Sequence, residues 1–110
     1  MASFDPMAAA IDWLDAYRAA SSSIVDLYAD GAALECACTR QAIIFGREAI
    51  AEYWRQHFME QPAGELTDLR PDGDAIVVSY RVPDGIVRAI LEFDPSGKIE
   101  RSRCAPLRSI

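Results

Sequence analysis

The sequence predicts an α+β domain, with helices first and a sheet after them. Three observations carry this. Apolar residues recur at helical spacing near the start and again from 47 to about 59. After Pro62-Ala63-Gly64 the apolar spacing changes to period two, the repeat of a strand. The later segments are parted by Pro71-Asp72-Gly73, Pro83-Asp84-Gly85 and Asp94-Pro95-Ser96-Gly97. Pro, Asp and Gly suit tight turns for dihedral reasons, and tight turns join antiparallel neighbours. A length of 110 residues supports one core, so 1–110 is read as a single domain.

Asp5-Pro6 opens the first helix, with Asp as N-cap and Pro at the first helical position. Ile11, Leu14 and Tyr17 recur on one face with Trp13 beside them, and the helix should end near Ala20. Ser21-Ser22-Ser23 breaks it, because serine hydroxyls compete for backbone hydrogen bonds. Ser23 with Asp26 resembles a capping box for a short second helix. That helix carries Ile24, Leu27 and Tyr28 and stops at Asp30-Gly31. Residues 32–39 should form a strand with Leu34, Cys36 and Cys38 on one face and Ala33, Glu35 and Ala37 on the other. A short strand follows at 42–45. The helix after Gly46 has an apolar stripe of Ile50, Tyr53, Trp54, His57 and Phe58. Its wet side is Arg47, Glu48, Glu52, Arg55 and Gln56. Four more strands are expected at 65–70, 75–82, 86–93 and 98–104. The run Ala75-Ile76-Val77-Val78 is apolar on both faces. One face can serve the core, which leaves the other to meet a second subunit.

Composition narrows the function. The net charge is −6, from 11 basic and 17 acidic side chains, which disfavours nucleic acid and anionic membrane surfaces as partners. Arg101, Arg103 and Arg108 cluster late and read as a solvated strand face and tail. No apolar run approaches the roughly 20 residues of a membrane span. The N-terminus lacks the basic-then-apolar order of a secretory signal. Three cysteines, Cys36, Cys38 and Cys104, do not make a disulfide framework, so free thiols and a cytoplasmic setting are expected.

The stretch from Leu27 to Phe58 is the most informative. It reads Leu-Tyr-Ala-Asp-Gly-Ala-Ala-Leu-Glu and then, after a short gap, Phe-Gly-Arg-Glu-Ala-Ile-Ala-Glu-Tyr-Trp-Arg-Gln-His-Phe. This order of elements resembles the nuclear transport factor 2-like superfamily, which includes ketosteroid isomerase, scytalone dehydratase and the SnoaL-like polyketide cyclases. The resemblance spans roughly residues 11–104. It implies a cone-shaped, curved antiparallel sheet wrapped around the N-terminal helices (a cystatin-like roll), a deep apolar pocket, and a homodimer formed through the sheet. By the resemblance to ketosteroid isomerase, Tyr17 matches the oxyanion tyrosine, and Tyr28 and Trp54 match two supporting aromatic positions. Cys36 stands where that enzyme has its carboxylate base, and Ala89 where it has a protonated aspartic acid. Without a carboxylate base, steroid isomerisation by the familiar route is not expected.

What remains is an aromatic cup with thiols: Tyr17, Tyr28, Tyr53, Trp54, Cys36, Cys38 and His57, with Ala89 in the wall. It suits a small, mostly apolar ligand, and the same residues also suit a packed core. Three chemistries bear on it. Cys36-Ala37-Cys38 with His57 or Cys104 could ligate a metal, but paired zinc cysteines favour a longer gap. Cys36 could act as a nucleophile with His57 as its base. His57 could act as acid or base in a dehydratase-like reaction. No metal or organic cofactor is implied. A non-catalytic binder, an isomerase, dehydratase or cyclase using Tyr17 with Cys36 or His57, and a protein-interaction module with a vestigial pocket all remain open.

Overall fold

A computed structural model describes residues 4–37 and 42–107. Helix α1 spans Pro6–Arg18. The Asp5 carboxylate caps it by accepting from the backbone N–H groups of Met7 at 3.0 Å and Ala8 at 3.3 Å, which satisfies donors the first turn leaves free. A 3₁₀ helix, Ser22–Leu27, follows, with Ser21 as its cap. Strand β1 runs Tyr28–Cys36 and β2 Ala42–Phe45. Helix α2 covers Arg47–Glu60. Strands β3 (Leu66–Asp72), β4 (Ala75–Val82), β5 (Gly85–Phe93) and β6 (Ile99–Pro106) complete the chain.

Two expectations change at the second helix. Its cap is Ser21, not Ser23, and the strand begins at Tyr28, so Asp30-Gly31 lies within β1 and does not end a helix. Burial decides this. Tyr28 is 1% exposed, and its ring reaches the interior only from extended backbone opposite Ile99. A register shift between Tyr28 and Ala33 absorbs the exposed Asp30-Gly31 pair as a bulge. At the other end β1 stops at Cys36. The expectation that the strand continues through Cys38 falls on 38–41, and that for Arg108 on 108–110, both outside the described residues.

The six strands form one open, curved sheet in the order β2-β1-β6-β5-β4-β3. Every consecutive pairing is antiparallel. β1 and β6 run parallel, so the sheet is mixed where an antiparallel one was expected. Turn chemistry constrains only strands that follow one another. β1 and β6 are brought together from opposite ends of the chain, and no turn sets their direction.

One face of the sheet packs on the helices. Leu34 and Cys36 on β1, Ile76, Val78 and Tyr80 on β4, and Val87, Ala89 and Leu91 on β5 join Trp13, Leu14, Tyr17, Ile50 and Trp54 in one core. The rings of Trp13, Tyr17, Trp54 and Tyr80 meet edge to face, with centroids between 4.7 and 5.8 Å. This is the geometry that aromatic quadrupoles favour. On the other face, outward Val77 is only 2% exposed, lying between its cross-strand neighbours Arg70 and Ile90. The doubly apolar β4 is therefore largely covered within one chain.

Candidate functional site

Helix α2 shapes the site because it packs by one stripe and leaves the adjoining one open. Ile50, Trp54 and His57 are buried. Tyr53, one position before Trp54, is half-buried and turns toward β1. Between this side of α2 and strands β1 and β2 lies a cavity of about 390 Å³, within the usual range for small-molecule sites, roughly 300–1,000 Å³. Cys36, Tyr53 and His57 form its polar floor, Ala42 and Ile44 an apolar wall, and Glu52, Gln56 and Glu60 its rim.

The floor residues touch one another. The Tyr53 hydroxyl donates to Cys36 Sγ at 3.2 Å, and the Tyr53 ring stacks on His57 with centroids 4.8 Å apart and planes 19° apart. Burial pulls the His57 pKa below its ordinary value, against smaller upward pulls from Cys36 and Glu60. The imidazole is therefore neutral near pH 7 and able to accept a proton. Among the described residues it has ring contacts to Tyr17, Tyr53 and Trp54 but no hydrogen-bond partner.

The other residues of the expected cup lie deeper. Tyr17 is 1% exposed, and its hydroxyl donates to the backbone carbonyl of Gln61 just past α2. Tyr28 sits at the centre of a buried polar knot. Its hydroxyl accepts from Trp13 Nε1 at 3.1 Å and shares a hydrogen bond with Ser102 Oγ at 3.1 Å. Burial raises the Tyr28 pKa, and the surrounding donors only partly offset this, so the phenol stays protonated. Trp54 fills the middle of the core. Ala89 borders a void of only about 10 Å³, shared with Trp13, Trp54, Tyr80, Ser102 and Cys104. So the cone's interior is closed by Trp13, Tyr17, Trp54 and Tyr80, and its open part lies to one side. Of the expected cup, Cys36, Tyr53 and His57 come together at that cavity; Tyr17, Tyr28, Trp54 and Ala89 lie behind it, and Cys38 is outside the described residues.

Sequence reasoning passed over Ala42, Ile44, Glu52, Gln56 and Glu60. The last three did carry a signal. They recur every four residues beside Tyr53 and His57, so they border the apolar stripe. No group of three or more His, Cys, Asp or Glu side chains among the described residues is placed to hold a metal ion. No helix among them is long and apolar enough to cross a membrane.

Helices closing over a curved, open sheet with a side cavity define the SnoaL-like, cystatin-type α+β fold. A SnoaL-like protein of unknown function from Burkholderia thailandensis superposes with a TM-score of 0.78 at 19% identity, covering 90% of this chain and 92% of that one. An uncharacterized cystatin-fold protein from Novosphingobium aromaticivorans gives 0.74 at 18% identity, covering 94% of this chain and 99% of that one. No family model matches the sequence, and no curated protein matches it.

Proposed function

We propose that this protein binds a small organic molecule in the cavity between α2 and strands β1 and β2. The observation that carries this is His57. It is 4% exposed and lines the cavity, and its imidazole has ring contacts but no hydrogen-bond partner among the described residues. The ring therefore presents its polar edge to the cavity, where a ligand can meet it. A ligand atom that hydrogen-bonds the imidazole there gains about 0.5–1.5 kcal/mol. Ile44, Ala42 and the Tyr53 ring suit an apolar or aromatic body, and Glu52, Gln56 and Glu60 suit a polar edge turned to solvent. The ligand is thus small and part apolar, with a hydrogen-bonding group directed at His57.

A catalytic version rests on the neutral His57, which could take a proton in an isomerase, dehydratase or cyclase type of reaction. In it, Tyr53 and not Tyr17 would face the substrate oxygen, because Tyr53 lines the cavity and Tyr17 is 1% exposed behind it. The protein also pairs with a second copy of itself through the outer sheet face, where Ile43 and Phe45 are 61% and 69% exposed.

The test is a fragment screen followed by protein-observed NMR. Binding should saturate, with shifts concentrated at Ile44, Tyr53, Gln56 and the His57 ring. His57→Phe should weaken a hydrogen-bonding fragment roughly tenfold, the worth of one such bond. Saturable shifts confined to another surface, or none in folded protein, would reject the cavity as the site.

A further inference from the structure

We propose that Cys36 and Cys104 form an oxidisable dithiol in the wall of the cone, closing to an intrachain disulfide when a hydroperoxide enters the cavity. Four features lead there. The two residues are register partners on the adjacent strands β1 and β6. Neighbouring strands lie about 4.8 Å apart, inside the roughly 4.4–6.8 Å between Cα atoms that a disulfide spans. Both side chains belong to the inner face, since Cys36 is part of the core and Cys104 packs against it, and neither sulfur is in a disulfide. Cys36 lines the 390 Å³ cavity, so the small part of it that is exposed can face space a small oxidant enters. Finally, Cys36 and not Cys104 lines that cavity, with the Tyr53 hydroxyl donating to its Sγ, so Cys36 is the sulfur that meets the oxidant first.

The chemistry balances with the hydroperoxide as sole oxidant. The Cys36 thiolate attacks the peroxide oxygen. The O–O bond breaks, Cys36 becomes a sulfenic acid, and hydroxide or alkoxide leaves. Cys104 sulfur then attacks the sulfenic sulfur. The S–O bond breaks, water departs with the Cys104 proton, and the S–S bond forms. Two thiols have lost two electrons and the peroxide has gained them. A disulfide between directly paired strands is constrained by the backbone, and such bonds are the readily reduced kind. Closure also alters the sulfur that accepts from Tyr53, so oxidation reshapes the cavity floor whether or not a ligand binds there.

The experiment is peptide mapping without reductant. The wild-type chain and Cys38→Ser are treated with hydrogen peroxide, blocked with N-ethylmaleimide and digested with trypsin. The expected product in both joins the peptide carrying residue 36 to the one beginning at Cys104. Dithiothreitol should reverse it, and it should be missing in Cys36→Ser and Cys104→Ser. In a parallel assay, Tyr53→Phe should slow alkylation of Cys36 by iodoacetamide about tenfold, the effect of one hydrogen bond to a charged group. Cys36 recovered as an irreversible sulfinic acid with Cys104 still alkylated, or a link only between chains or to Cys38, would overturn the proposal. An unchanged alkylation rate would remove Tyr53 from it.

Discussion

His57 shows how one buried residue can set both chemistry and stability. It is the only histidine in the chain. Burial lowers its pKa in the folded state, while the unfolded chain keeps the ordinary value of 6.5. Above that pH both states hold a neutral ring and the group contributes nothing to the balance. As pH falls through 6.5 the unfolded chain takes up the proton first, so stability drops until the folded protein can also bind it. The facing groups are Tyr53 and Tyr17, whose rings touch the imidazole, and Cys36 and Glu60, whose upward pulls oppose the shift without overcoming it. Urea unfolding at about pH 7.5 and about pH 5.5 should therefore show wild type losing more stability than His57→Gln over that interval. Equal losses would mean that the ring is hydrated in the folded state.

Helix α2 joins the core to the cavity, and it separates what the sequence reveals from what it hides. The apolar stripe and the wet side were legible because a 3.6-residue repeat fixes which residues share a face. Asp5-Pro6 and the three Pro/Asp/Gly turns were legible because their dihedral needs are local. Which half of the stripe would close the core and which would border open space was not. That depends on how Trp54 meets Trp13, Tyr17 and Tyr80, residues from α1 and β4. The resemblance placed Tyr17 at the site, whereas packing carries it to the end of α2, with Tyr53 at the cavity. Likewise Tyr28 continues the helical spacing from Ile24, yet its burial against Ser102 draws it into a strand. The parallel β1–β6 pair leaves no local mark at all. The division of α2 can be measured. Trp54→Ala should cost about 3–5 kcal/mol of stability in a denaturant titration, as removal of a core aromatic does. Tyr53→Phe removes one hydroxyl beside an open cavity and should cost about 1 kcal/mol or less. Similar losses for the two variants would mean that Tyr53 belongs to the core.

At the scale of the whole molecule, the unfinished surface is the outer face of the sheet near β2. Four charges on that face pair within the chain, Arg101 with Glu35 at 3.6 Å and Arg103 with Glu92 at 3.5 Å, and Val77 is already covered. The far edge strand β3 carries Asp68, Arg70, Pro71 and Asp72, the charges and proline that keep a sheet edge from pairing with another chain. β2 has no such protection. Its outward residues are Ile43 and Phe45, two positions apart on one face. They flank Glu35 and Ala33, their register partners on β1. An exposed apolar pair in line with a row of self-matched charges is what a two-fold interface can use. The apolar residues stack on each other, and the ion pairs at the margin need no new partner. A stable dimer buries roughly 800 Å² per copy, so the contact must extend from β2 across β1 and β6. Sedimentation velocity at micromolar concentration should show a dimer for wild type and a monomer for Phe45→Glu. Met59→Glu, which changes an 82% exposed residue on α2, should leave the dimer intact. Wild-type protein that sediments only as a monomer would reject this interface. Dissociation by Met59→Glu with Phe45→Glu still dimeric would move it from the sheet to the helices.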